Sequence, residues 1–254
     1  MKIITGFDYN TDISQLSKGE LDAITEQIRN AAKQQRTAIA RQVIATSQCN
    51  AVDHPTSVFM AGAPGAGKTE VSKGLVSLFS RGEVLRLDPD DFRPYFDCYN
   101  GGNSHIVQRA ITPIVERCID FAMNKKINLL LDGTLSHWPV ANRNITRALT
   151  EGRNVIVMFV LQDPHVSWEF VKARERLEGR RILLETFVDQ YFGSLEVMKQ
   201  VIATFWPRVI TWCTVKNAMT GQSDNILLKT TGCLEKLIKQ QYTRDALISA
   251  LQCE

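Results

Sequence analysis

The sequence lacks most of the features that would assign it to a specialised class of protein. Its 254 residues hold no internal repeat and no low-complexity stretch, which excludes a solenoid, a fibrous chain or a disordered polymer. The longest apolar run, residues 155–161, is far too short to span a bilayer. Residues 1–6 lack the long apolar core of a secretory signal. Cys49, Cys98, Cys118, Cys213, Cys233 and Cys253 form no Cys-x-x-Cys pair, and His54, His105, His137 and His165 show no metal spacing. A disulfide scaffold and a zinc module are therefore excluded, and reduced thiols in a cytoplasmic protein are expected. A net charge of +3 is too weak for a broad nucleic-acid surface, although it leaves room for a local basic pocket. Neither a membrane nor a nucleic-acid partner is expected. With 44% hydrophobic and 22% charged residues, the composition is that of an ordinary globular protein. The length suits one large α/β domain, or a domain with a small appendage.

What is present is concentrated in one stretch. The apolar run Ser57-Val58-Phe59-Met60-Ala61 feeds into Gly62-Ala63-Pro64-Gly65-Ala66-Gly67-Lys68-Thr69, which is the Gly-x-x-x-x-Gly-Lys-Thr phosphate-binding loop, or P-loop. Small residues let the backbone curl so that successive N–H groups face one concavity suited to an anion. A helix starting near Lys68 aims its positive end at the same phosphates. Lys68 is expected to reach the β- and γ-phosphates, and the Thr69 hydroxyl to ligate Mg²⁺. Residues 62–69 are thus the predicted nucleotide-binding element, with ATP and Mg²⁺ as cofactors.

The rest of the chain reads as an alternation. Residues 1–50 are mostly helical. Ser17-Lys18-Gly19-Glu20 has capping-box spacing, Leu21, Ile24, Ile28 and Ala31 follow at helical intervals, and a second helical stretch covers about 37–47. This segment either packs on the core or forms a regulatory arm over the site. Residues 51–254 form the main domain. After the P-loop, Val71, Leu75, Leu78 and Phe79 define one helix face. A strand over 83–87 then ends on Asp88-Pro89-Asp90-Asp91. A long helix over about 105–124 carries Pro113, where a bend or restart is expected. Ile127 to Leu131 is a buried strand ending on Asp132-Gly133-Thr134, and 154–161 is another. Helices are predicted over about 143–149, 165–177 and 183–204. Strands are predicted over 209–214 and 225–229, joined by a loop containing Gly221, and one amphipathic helix over 234–251 ends the chain. Helices alternating with continuous apolar strands predict an α/β fold, a P-loop NTPase-type parallel sheet covered by helices on both faces, with N- and C-terminal helical additions.

A P-loop binds a nucleotide without specifying a reaction. A GTPase needs an Asn-Lys-x-Asp element, and Asn124-Lys125-Lys126-Ile127 fails at the aspartate. A motor-type ATPase pairs its strand-end Asp with a Glu, whereas Asp132 is followed by Gly133. Both absences favour phosphoryl transfer to another molecule, which needs a carboxylate near the acceptor hydroxyl, a metal, and cations for the moving charge. Asp90, just past a strand's carboxyl end, is the candidate base; the alternative is a helix N-cap. Asp88 is a strand-end structural acid or a water-mediated Mg²⁺ neighbour. Asp132 has the position of a water-mediated metal contact or a substrate contact, or is a turn-forming Asp-Gly, and Thr134 shares its crevice. Arg174, Arg176, Arg180 and Arg181, after the 154–161 strand, are candidates for a phosphate-clamping lid.

Taken together, the P-loop, Leu87-Asp88-Pro89-Asp90-Asp91-Phe92, Leu131-Asp132-Gly133-Thr134 and Arg174-Glu175-Arg176-Leu177-Glu178-Gly179-Arg180 resemble the zeta toxin family of P-loop kinases, over roughly residues 50–230. The resemblance implies ATP- and Mg²⁺-dependent phosphorylation of a hydroxyl on a nucleotide sugar. UDP-N-acetylglucosamine, modified on the 3′-hydroxyl of its sugar, is the family's best-known substrate, and the product poisons cell-wall synthesis. Carried over by position, Lys68 and Thr69 hold ATP and Mg²⁺, and Asp90 is the general base. Asp132 and Thr134 contact the sugar substrate, while Arg180 with Arg174 or Arg176 clamps phosphates. Family members carry Glu-Gly-Thr-x-Arg where this chain has Asp132-Gly133-Thr134-Leu135-Ser136, which changes charge and reach toward the acceptor. The runner-up function is a kinase for an antibiotic, a dinucleotide cofactor or a nucleic-acid end; the third reading is a non-catalytic nucleotide-binding module. The family's partner is a small helical antitoxin, and residues 1–50 are the alternative, acting in cis.

Overall fold

A computed structural model describes residues 2–8, 15–179, 181–217 and 220–252. Its centre is β1 (Thr56–Ala61), whose residues are buried from Ser57 onward. Being hydrogen-bonded on both edges and covered on both faces, this strand can be apolar throughout rather than alternating. It pairs in parallel with β3 (Leu129–Leu131) on one side and β4 (Asn154–Leu161) on the other. With β2 (Leu85–Leu87), β5 (Ile210–Lys216) and β6 (Ser223–Leu227), the order across the sheet is β2-β3-β1-β4-β5-β6. The crossover from β1 to β2 uses α2 (Lys68–Val76), and it runs along the sheet in the opposite sense to those through α3 (Ser104–Asn124) and α4 (Trp138–Thr150). With right-handed crossovers, opposite senses put helices on both faces. α5 (Pro164–Glu178) and α6 (Leu184–Phe205) fill the connection from β4 to β5.

The sheet is not wholly parallel, because β6 runs antiparallel to β5, with Trp212 opposite Leu227. The reason is the length of the link. Residues 217–222 can close a hairpin, whereas a parallel return needs a dozen or more residues.

Four other expectations change. The two N-terminal helical stretches are one helix, α1 (Lys18–Ser47), opened by the Ser17/Glu20 capping box. No Gly or Pro interrupts residues 28–37, so nothing stops propagation. Its buried Ile28, Ala32, Ile39, Ala40 and Ile44 form the stripe that packs along α3. α3 runs unbroken through the buried Pro113, without a restart. Proline removes one helical hydrogen bond, and the burial of twelve of the helix's residues outweighs that loss. α2 ends at Val76, leaving Leu78 80% and Phe79 45% exposed rather than on a buried face. The chain turns there, with the Ser80 N–H donating to the Glu83 carboxylate at 2.8 Å. The C-terminal tail is two helices, α7 (Thr231–Leu237) and α8 (Arg244–Gln252), rather than one. Thr230 caps the first, Thr243 accepts from the Ala246 N–H at the start of the second, and Arg244 pairs with Asp189 of α6.

The residues before α1 are stitched to the segment following β2. Ile3, fully buried, donates from its N–H to the Tyr95 carbonyl at 2.6 Å and accepts from the Asp97 N–H at 3.1 Å. Thr5 donates from its hydroxyl to the Asp97 carboxylate at 2.7 Å. Among the described residues no helix is long and apolar enough to cross a membrane, and the cysteines are unpaired.

Candidate active site

The connections leaving the neighbouring strands β1 and β3 run in opposite senses across the sheet, and ligand crevices in open α/β sheets form beyond the carboxyl ends of the strands at such a point. A cleft of about 1170 Å³ opens there, lined by residues from the P-loop, the β2 and β3 ends, α3, α5, α6 and the β5–β6 hairpin.

The donor wall is the P-loop. The Gly62 N–H donates to the Thr134 carbonyl at 3.1 Å, tying the loop to the segment after β3. Gly65 has φ 74°, and a Cβ there would collide with the Ser167 carbonyl of α5, so α5 lies directly against the loop. Gly67, at φ 88°, is the N-cap of α2 and supplies no capping side chain. The first-turn N–H groups of α2, which have no intrahelical acceptor, therefore remain available to an anion. Lys68 Nζ donates to the Ala63 carbonyl at 2.6 Å. Lys216 of β5 reaches the same end of α2 and pairs with Glu70 at 2.5 Å.

Beneath this wall lies a charged network. Arg86 of β2 donates to Asp88 at 2.6 Å, to Asp132 at 2.5 Å and, through Nε, to the Ser72 hydroxyl at 3.1 Å. Ser72 in turn donates to Asp132 at 2.6 Å. Burial works against the Arg86 charge, but the carboxylates of Asp132 and Asp88 outweigh it and hold the guanidinium above its ordinary range. The Asp132 side chain is only 2% exposed, so this carboxylate serves first as the anchor that joins β2, β3 and α2. The loop that follows is strained: Leu135 has φ 46°, a left-handed conformation unusual for a branched side chain. Thr134 and Ser136 share a hydroxyl–hydroxyl hydrogen bond at 3.0 Å.

The opposite wall begins with the 3₁₀ helix Pro89–Tyr95. Its N-cap is Asp88, which accepts from the Asp90 N–H at 2.9 Å, so the capping role considered for Asp90 belongs two residues earlier. The Asp90 carboxylate instead lines the cleft and pairs with Arg93 at 2.5 Å. Gln108 of α3 accepts from Arg93 at 3.0 Å.

Of the anticipated site residues, 64–69, Asp88, Asp90, Asp132, Thr134 and Arg174 line one cleft. Gly62 and Ala63 form the turn behind it. Arg174 also borders a smaller adjoining cavity with Thr69, Asp88 and Asp90, and pairs with Glu178 at 3.3 Å. Arg176 does not line the cleft: two positions along a helix is about 200° of rotation, which turns it away from the face Arg174 uses. Arg180 lies outside the described residues. Sequence reading overlooked Arg93, Gln108, Arg109 and Lys216, and took His105, which also lines the cleft, as incidental. The Asp90-x-x-Arg93 spacing and the run of polar residues His105, Gln108 and Arg109 in the first turns of α3 were the available signals.

The donor set fits Mg²⁺. Among the described residues no group of three His, Cys, Asp or Glu could hold a metal ion by itself. Thr69, Asp88 and Asp90 border one small cavity and offer there the oxygen ligands that Mg²⁺ takes beside phosphates and waters. Asp88 has one carboxylate oxygen on the Asp90 N–H and the other on Arg86, so it would act on such an ion through water.

The family model described as Zeta toxin matches residues 41–224. The chain belongs to the zeta toxin family. The match begins inside α1, so the family region includes the end of the N-terminal helix. A sequence search of curated proteins matches none. Among solved structures, this zeta toxin family chain is similar to one from the PezAT chromosomal toxin–antitoxin system of Streptococcus pneumoniae. That match has 15% identity and a TM-score of 0.60, and covers 95% of this chain and 97% of that one. It is also similar to a chain in the AvrRxo1-ORF1:-ORF2 structure with ATP, at 14% identity and a TM-score of 0.59, covering 92% of this chain and 81% of that one. At such identities the likeness is one of fold alone.

Proposed function

We propose that this zeta toxin family protein transfers the γ-phosphoryl group of ATP, with Mg²⁺, to a hydroxyl of a nucleotide sugar, UDP-N-acetylglucosamine at its 3′-hydroxyl, and acts as the toxin of a toxin–antitoxin pair. The observation that carries the proposal is the single cleft bounded by the P-loop on one wall and by Asp90 on the other. ATP bound with Mg²⁺ supplies the phosphoryl group. The P-loop backbone and Lys68 hold the phosphates, and Thr69 and, through water, Asp88 orient the ion. Asp90 takes the proton of the acceptor hydroxyl as that oxygen bonds to the γ-phosphorus, whose bond to the β–γ bridging oxygen breaks, and ADP leaves. Arg93, itself held by Gln108, keeps the Asp90 carboxylate turned into the cleft. Arg174 and, by the family resemblance, Arg180 neutralise charge on the moving group, and Thr134 contacts the sugar with Asp132 behind it. No residue of 1–50 lines the cleft among the described residues, which favours an antitoxin supplied by another chain over an arm acting in cis.

The test is incubation with ATP, Mg²⁺ and a panel of nucleotide sugars, with mass spectrometry of the products. A product heavier by one phosphoryl group is expected with UDP-N-acetylglucosamine. Transfer only to an antibiotic, a dinucleotide or a nucleic-acid end would replace the acceptor class, and transfer to nothing would reject the kinase reading. Expression in cells is expected to arrest growth, and Lys68→Ala to abolish the arrest.

A further inference from the structure

The cations lining the cleft divide into two groups. Lys68 and Lys216 belong to the donor end, and Arg93 and Arg174 border the side cavity with Thr69. The remaining ones, Arg109 and Arg181, line the cleft with His105 and Gln108 and do not border that cavity. His105, Gln108 and Arg109 stand three and four positions apart on α3, so they share one face. This group holds more positive charge than its neighbours satisfy. Arg109 is 74% exposed with its nearest carboxylate, Asp22, at 3.9 Å, and Arg181 is 65% exposed with Glu175 at 3.7 Å. Long, solvated pairs of this kind contribute little and yield readily to a better partner. Arg93 is the buried counterpart: its side chain is 8% exposed, and its buried Nε has no hydrogen-bond partner. His105 opens to the cleft, yet the protein around it and then the Arg181 cation push it below the usual imidazole range. By contrast, the loop 132–136 offers the acceptor hydroxyls and a buried carboxylate, but no cation.

We propose that Arg109 of α3 and Arg181 of the segment after α5 form a diphosphate-binding subsite for the acceptor, with His105 beside them. Two guanidinium forks carried on different elements match two successive phosphate groups better than a single carboxylate or phosphate. The subsite rests on the kinase reading for its place in a reaction, but its existence does not. It assigns recognition of the acceptor's diphosphate to α3 and the segment after α5, and leaves the loop after β3 to the sugar.

The test is calorimetry on the full chain saturated with Mg²⁺ and a non-hydrolysable ATP analogue, with UDP as the probe. UDP is expected to bind, and the imidazole of His105 to titrate at higher pH by NMR when it does. Arg109→Gln and Arg181→Gln should each weaken UDP by roughly tenfold and leave affinity for the ATP analogue unchanged, as expected for charge-assisted hydrogen bonds lost at one end only. UMP should bind more weakly than UDP and lose less in either variant. Pyrophosphate binding as tightly as UDP would keep the subsite but remove the nucleoside from it. Unaltered UDP affinity in both variants would overturn the proposal, as would an equal loss of the ATP analogue, or a short oligonucleotide that outcompetes UDP. Failure of phosphoryl transfer with UDP binding still dependent on both arginines would sink the kinase reading alone. Transfer to a nucleotide sugar with a KM indifferent to both would sink the subsite alone.

Discussion

The two walls of the cleft are built on opposite plans. The donor wall is eight consecutive residues running from the end of one strand into the first turn of one helix, and it suits phosphate through backbone geometry that its glycines permit. The acceptor wall is assembled from the 3₁₀ helix after β2, one face of α3 and the segment after α5, and it works through side chains. Its first element is pinned by residues 3 and 5, which bond to residues about ninety positions later. Backbone recognition tolerates few substitutions and therefore keeps its signature in the sequence. Side-chain recognition can be rebuilt from other positions, so a wall of this second kind can change its ligand while the first stays fixed.

Several substitutions would break or sharpen that contrast. If Asp90 is the base, as proposed, Asp90→Asn should lower kcat by about 10²–10⁴ while ATP affinity is unchanged, since the substitution touches the acceptor wall alone. Equilibrium ATP binding beside steady-state rates checks it, and turnover near the wild-type rate would mean that the acceptor wall lacks its base there. Arg86→Met strikes both walls at once, leaving Asp132 and Asp88 without the cation that joins them. Removing one partner of such a buried pair costs about 3–5 kcal/mol, to be read from the urea midpoint at unchanged m-value. A loss below about 1 kcal/mol would mean the walls are joined by packing alone.

Thr5→Val removes the hydroxyl bond to Asp97, worth about 1.5–3 kcal/mol for a bond to a charged group. Because the brace serves only the acceptor wall, kcat should fall several-fold with no change in ATP affinity. An equal loss of both would show that the walls are not independent. The smallest effect concerns thiols. Burial pushes Cys118 of α3 and Cys213 of β5 up to about 12, so neither should react in the folded protein at pH 8, while Cys49 and Cys233 should. One continuous apolar core joins the two positions, so they should become reactive together in urea. Earlier labelling of Cys118 would mean that the α1–α3 layer opens by itself.

Legibility in the sequence followed the same division. The P-loop and the strands β1, β3 and β4 were readable because their signals are local: fixed glycine spacing, or an unbroken apolar run. Asp90 was readable as a strand-end acid, but its pairing with Arg93 was not, and the polar residues that open α3 look like the solvent face of any amphipathic helix. Leu78 and Phe79 continued the helical spacing of α2, yet the helix stops at Val76, since periodicity says nothing about where a turn intervenes. The Asp132 carboxylate was placed correctly at a strand end. Its burial against Arg86 and Ser72 depends on three elements meeting, which no window of sequence contains.

By itself, then, the sequence determined the phosphate-binding loop, the parallel core around it and the positions of the acids at the strand ends. These follow from backbone stereochemistry and apolar periodicity, which act over a few residues. Only the tertiary structure decided the antiparallel β6, the role of residues 2–7 as a brace, and which arginines face the cleft. Those outcomes depend on which distant surfaces are buried together, and side chains brought into contact by packing carry no mark of it along the chain.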